Sequence, residues 1–124
     1  MSRNVFVIDD ADFMIDMIRM ILEGAGHRVV GSETDSLKAL ARLKELASGD
    51  AAVDLVLVDL HMPKLDGFEA IQNIRTILPG AKVLLVSANS ARSVALRARE
   101  LKVDGFVVKP FEPDVLLAEV SKLD

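Results

Sequence analysis

The sequence predicts an α/β protein, a doubly wound sheet of five parallel strands with helices on both faces. Three observations predict it. Short β-branched runs alternate five times with longer amphipathic stretches. The third and fourth runs are apolar on both faces, as buried parallel strands are. Strict strand–helix alternation also requires right-handed crossovers, which place helices on both sides of one sheet. With 124 residues the chain reads as a single domain spanning 1–124, and no unit repeats another closely enough for a solenoid.

The first strand, Val5–Asp9, is an aliphatic run closed by Asp9 and Asp10. In the helix that follows, Asp12–Ala25, the polar residues Asp12, Asp16, Arg19 and Glu23 share one narrow stripe, and Gly24 and Gly26 mark the stop. Eight apolar residues lie between Phe13 and Leu22, more than one buried face needs. The second strand is Arg28–Ser32 and its helix Ser36–Ala47, ended by Gly49 and Asp50. The third strand, Leu55–Asp59, precedes a helix at Gly67–Leu78, where Asp66 and Glu69 have the spacing of a capping box and Pro79 and Gly80 end the element. The fourth strand, Lys82–Val86, leads to a helix at Ala91–Leu101. An apolar stripe of Ala91, Val94, Ala95, Ala98 and Leu101 lies there beside the basic Arg92, Arg97, Arg99 and Lys102. The fifth strand, Gly105–Val108, is followed by Pro113–Lys122, with proline where its missing N–H costs nothing.

Composition excludes several chemistries. With 15 basic residues against 19 acidic the net charge is -4, which repels nucleic acid, and five Phe as the only aromatics supply no stacking platform. Cysteine is absent, so there are no disulfides, thiolate nucleophiles or cysteine-held metals. His27 and His61 stand far apart and build no multi-histidine site, so any metal is a hard cation held by oxygen. The longest apolar runs, such as Val83–Val86 and Val5–Ile8, suit strands and not a signal core or membrane span, and a cytoplasmic protein is expected.

In doubly wound folds the carboxyl ends of the strands gather at one edge, where ligands bind. That edge receives Asp9 and Asp10, Asp59, Ser87 and Lys109. A lone Asp there is commonly a turn or cap residue; these five groups at four strand ends read as a site. Three carboxylates against one ammonium call for a further cation, and Mg²⁺ is the natural supplement.

These residues carry a resemblance to the receiver domains of the response regulators of two-component signalling. Val5-Phe-Val-Ile-Asp9-Asp10 matches the family's acidic pair, and Asp54-Leu-Val-Leu-Val-Asp59-Leu-His-Met-Pro63 with Leu65-Asp-Gly67 its phosphorylation segment. Ser87-Ala88-Asn89 matches the hydroxyl switch, and Phe106 through Lys109-Pro110-Phe111 the closing motif. Five matches in order are highly specific. The resemblance covers essentially the whole chain and implies the flavodoxin-like receiver fold.

It further implies that Asp59 takes a phosphoryl group from a phosphohistidine donor, with Mg²⁺ and Lys109 neutralising the phosphoryl oxygens. Asp10 would be a direct metal ligand and Asp9 an outer one, with Asp59 and the backbone carbonyl of His61 completing the set. Ser87 would turn toward the phosphate and Phe106 inward. Phe106 stands where Tyr is frequent, so it signals by packing without a phenolic hydrogen bond. The Lys109–Pro110 bond is expected to be cis, aiming Lys109 into the site. His61 and Asn89 are the positions expected to tune phosphoryl lifetime, and His27 reads as surface.

By the same resemblance a histidine kinase or phosphotransfer protein would dock at the first helix, with Ala11 and Ile15 altering recognition. The fourth helix, fifth strand and fifth helix would present a face to a downstream protein or to a second copy. The expected function is a phospho-accepting switch and not a turnover enzyme, without direct nucleic-acid or membrane binding. Two alternatives stay open. One is a haloacid-dehalogenase-type phosphatase, although its nucleophile normally follows the first strand with a second Asp two residues on. The other is a receiver-like interaction module that is never phosphorylated. A stand-alone receiver, a phosphorelay intermediate and a domain of a longer protein fit the sequence equally.

Overall fold

The computed structural model describes residues 2–49, 52–62 and 64–123; Asp50 and Pro63, singled out above as a turn and a motif residue, lie outside them. Five strands, β1 (Asn4–Ile8), β2 (Arg28–Glu33), β3 (Leu55–Asp59), β4 (Lys82–Ser87) and β5 (Gly105–Val108), alternate with five helices. The helices are α1 (Asp12–Gly24), α2 (Ser36–Ala47), α3 (Gly67–Ile77), α4 (Arg92–Glu100) and α5 (Pro113–Ser121). The expected elements are all present, with ends shifted by at most one residue. The strands form one parallel sheet in the order β2-β1-β3-β4-β5.

Alternation along each strand divides the core. Phe6, Ile8, Val56, Val58, Val83 and Leu85 face α2, α3 and α4, packing with Leu43, Ile71, Ile74 and Val94. Val5, Val7, Leu55, Leu57, Leu84 and Val86 face α1 and α5, packing with Ile18, Leu22, Leu116 and Val120. Burying each such side chain is worth roughly 1.5–3 kcal/mol, which is why a one-residue slip of register is excluded. β3 is buried at every position, as its two-sided apolar sequence requires.

The β1–β2 ladder carries an irregularity that the sequence pattern does not reveal. Val5 pairs with Val29 but Phe6 with Gly31, so Val30 is an extra residue on the edge strand. Gly31 is needed there, because a Cβ would lie 2.7 Å from the Phe6 ring. The capping box of α3 is formed by Asp66 and Glu69, and Pro113 occupies the first turn of α5. Among the described residues no helix is long and apolar enough to cross a membrane.

The sheet order places the topological switch between β1 and β3. The crevice of a doubly wound fold therefore opens where Asp9 and Asp59 emerge.

Candidate functional site

Asp9 follows β1 and Asp59 ends β3; both are buried, at 1% and 5% exposure, while Asp10 is exposed. One carboxylate oxygen from each of the three lies within 4.8 Å of the others. Lys109, carried past the end of β5, donates its Nζ to Asp9 Oδ2 at 2.7 Å and stands 3.3 Å from Asp59 Oδ2. Its backbone N–H donates to the Ser87 carbonyl, and the Lys109–Pro110 bond is cis, as expected. Asp9 Oδ1 accepts the Ala11 N–H, and Asp59 Oδ1 accepts the His61 N–H at 3.4 Å.

Burial pushes the Asp59 carboxyl above the usual carboxylate range; Lys109 pulls it back, and the neighbouring Asp9 charge adds to the rise. Burial disfavours the charged form of Lys109 as well, here by opposing its protonation. Its bonds and charge contacts with Asp9 and Asp59 together prevail and hold its ammonium above the ordinary lysine value. Three carboxylates on one ammonium leave a surplus of negative charge at the edge of the sheet, with Asp9 and Asp59 buried and Asp10 open to solvent. The donors are all hard oxygens, which fits a small divalent cation and not a soft metal.

α3 begins directly beneath this cluster. The Gly67 N–H donates to the Leu60 carbonyl at 2.8 Å, and a Cβ on Gly67 would lie 2.6 Å from the Asp59 carbonyl oxygen. Glycine is required by that approach, and the loop from Leu60 to Asp66 is closed at its base.

Ser87 sits at the end of β4, fully buried, but its hydroxyl turns back on its own loop: it accepts the Asn89 N–H at 2.9 Å and donates to the Asn89 carbonyl at 3.2 Å. Asn89 in turn accepts the Ala91 N–H through Oδ1 and leads the chain into α4. Spacing alone did not reveal this local turn. Phe106 is half-buried against the core and borders a groove of about 470 Å³ between α4 and β5, which Ser90, Ala95 and Val108 also line. Of the expected apolar stripe of α4 only Val94 and Ala98 are buried, while Ala91 and Ala95 face outward.

His61 is exposed at the rim. His27 corrects the surface reading: it is half-buried and its Nδ1 accepts the Arg3 N–H at 3.0 Å, tying the start of the chain to the α1–β2 turn. On α1, Ile15, Ile18 and Leu22 are buried, whereas Phe13 and Met20 are 71% and 75% exposed, with Met17 also outside.

The profile of the response regulator receiver domain matches residues 5–121. The chain belongs to that family. It is similar to the chemotaxis protein CheY of Thermotoga maritima, 33% identical over 123 residues that cover 99% of this chain and 98% of that protein. Protein CcdB of Bacillus subtilis is 38% identical over 119 residues, 96% of this chain and 95% of CcdB. In three dimensions the receiver resembles CheY in the CheX–CheY–BeF3–Mg²⁺ complex of Borrelia burgdorferi. The TM-score is 0.89 at 25% identity, covering 98% of this chain and 88% of that one. The order of the sheet is thus that of a receiver fold, and the three carboxylates lie at its carboxyl edge.

Proposed function

We propose that this receiver accepts one phosphoryl group on Asp59 from a phosphohistidine donor and changes partner binding as a result. The observation that carries the proposal is the Lys109 ammonium bridging Asp9 and Asp59 within a cluster of three carboxylates. Asp9, Asp10, Asp59 and the backbone carbonyl of His61 are the groups assigned to Mg²⁺, which when bound supplies positive charge to the phosphoryl oxygens.

An Asp59 carboxylate oxygen attacks phosphorus as the donor's N–P bond breaks, and the electron pair of that bond leaves with the imidazole. Lys109 opposes the effect of burial on the Asp59 carboxylate and meets the charge on the transferred group. Ser87 exchanges its Asn89 partner for a phosphoryl oxygen, and Phe106 moves toward the space this opens. Uptake is stoichiometric, so the protein is a switch and not a turnover enzyme. His61 at the rim and Asn89 in the Ser87 loop are assigned to the lifetime of the phosphorylated state.

The exposed Phe13, Met17 and Met20 of α1 suit the docking of a kinase or phosphotransfer protein. The basic α4 with β5 and α5 suits a downstream target or a second copy. The phosphatase alternative is not favoured, since the acceptor follows β3 and a histidine stands two residues on. Intact mass after incubation with phosphoramidate tests the proposal. A gain of one phosphoryl group that needs Mg²⁺ and is absent in Asp59→Asn is expected; an unmodified wild type would refute it.

A further inference from the structure

Two contacts outside the acid cluster tie the loop after Asp59 to the N-terminus of α2. Ser36, the first residue of α2 and fully buried, donates its hydroxyl to the Leu65 carbonyl at 2.7 Å. Asp35 divides its carboxylate: Oδ1 caps α2 by accepting the Leu37 and Lys38 N–H groups, and Oδ2 accepts Lys64 Nζ at 2.7 Å. That bond, before the capping N–H groups, holds the Asp35 carboxyl below its ordinary value.

Lys64 is also in the left-handed region, with φ of 74°, where residues other than glycine are uncommon. Its side chain is 56% exposed, so packing does not account for a lysine there. The ion pair to Asp35 is what lysine offers at this position and glycine does not. At the other end of the loop the Gly67 N–H holds the Leu60 carbonyl, and the His61 N–H meets Asp59 Oδ1. The described residues of this loop, 60–62 and 64–66, are therefore tied to the sheet by one set of bonds and to α2 by another.

We propose that Asp35, Ser36 and Lys64 are positioning residues for the phosphoryl site, clamping the loop that carries His61 so that its carbonyl faces the metal position. The inference rests on the reading of Asp59 as a Mg²⁺-dependent acceptor. It makes α2, which contributes none of the three clustered carboxylates, a determinant of how well the site binds its cation.

Two variants separate this role from simpler ones. Asp35→Asn keeps an N-cap of equal quality and loses the charge; Lys64→Gly loses the ion pair while relieving the left-handed backbone. Each is expected to lower the melting temperature by at most about 4 °C, the limit set by one exposed ion pair. Charge alone moves them in opposite directions, since removing a cation near the site tightens Mg²⁺ and removing an anion loosens it. The clamp moves both the same way.

Hydrogen–deuterium exchange of the peptide spanning 60–66 in metal-free protein is expected to accelerate up to about fivefold in each variant, the most an exposed ion pair supports. The half-saturating Mg²⁺ concentration for phosphorylation by phosphoramidate should rise by a similar factor, with an unchanged rate at saturation. Unchanged exchange in both variants overturns the proposal, as do Mg²⁺ shifts of opposite sign. A wild type that takes no phosphoryl group would refute the reading of Asp59, and the exchange measurement would still decide on the clamp.

Discussion

Replacing Lys109 by Met removes the ammonium that, alone among the described residues, pairs with Asp9 and Asp59, and keeps much of the side chain's length. The lysine side chain is 14% exposed and those of the two aspartates 2% and 6%, so the pairs are buried. Breaking a buried pair by deleting one partner costs about 3–5 kcal/mol. Proton uptake by Asp59 relieves part of this and places Lys109→Met near the lower figure. An unfolding entropy of roughly 2.1 cal/mol/K per residue over 124 residues makes about 0.26 kcal/mol/K, so a loss of about 3 kcal/mol lowers Tm by about 12 °C.

The pH dependence of Lys109→Met has a fixed sign. The folded Asp59 pKa lies above the unfolded 3.8, so between the two values the folded protein binds more protons and loses stability as pH rises. Removing Lys109 raises that pKa further, and the deficit of the variant is therefore larger at pH 8 than at pH 5. The raised Lys109 value adds stability to the wild type that is complete below 10.5 and fades as pH climbs through the folded value. Far-UV circular dichroism melts in chelator at pH 5 and pH 8 measure the effect, followed by Mg²⁺, which should stabilise the variant more than the wild type. A Tm at pH 8 within about 3 °C of wild type, or a deficit that grows toward pH 5, would refute the assignment of Lys109 as the counterion of the cluster.

Asp59→Asn removes a desolvated charge beside Asp9 and should raise metal-free stability by about 1 kcal/mol, read by urea titration, because functional sites hold strain that neutral replacements release; a destabilised variant would contradict this. Gly67→Ala pushes a Cβ against the Asp59 carbonyl oxygen and the Leu60 Cα, at 2.6 and 2.7 Å, where only backbone can give way. A loss of about 2–3 kcal/mol is expected in the same titration, with weaker Mg²⁺ dependence of phosphorylation, and an unchanged midpoint would show that the β3–α3 junction is looser than described.

The fold was legible because its signals are local and agree with one another. Two-sided apolar runs mark β3 and β4, Asp66 and Glu69 announce the start of α3, and polar groups at strand ends mark the binding edge. The acid cluster with Lys109 followed from that topology, since an α/β alternation leaves few other places for those residues to go. What stayed hidden depends on pairings between distant residues. The bond from Ser36 to Leu65 spans 29 positions and that from Arg3 to His27 spans 24, and neither has a periodic signature. The direction of the Ser87 hydroxyl was hidden for another reason: a serine at a strand end satisfies itself in its own turn as readily as it reaches a ligand, and only coordinates distinguish the two. The surplus of apolar residues on α1 was visible in sequence, but which of them stay outside is decided by the position of α5, against which Ile18 and Leu22 pack.

The proposed acceptor of the phosphoryl group is Asp59, and not Asp9 or Asp10. Borohydride reduces an aspartyl phosphate to homoserine, so treating the phosphorylated protein with borohydride and mapping its peptides by mass marks the acceptor directly. Homoserine at position 59 alone is expected. Homoserine at position 9 or 10, or a phosphorylated chain with no reduced aspartate, would contradict it.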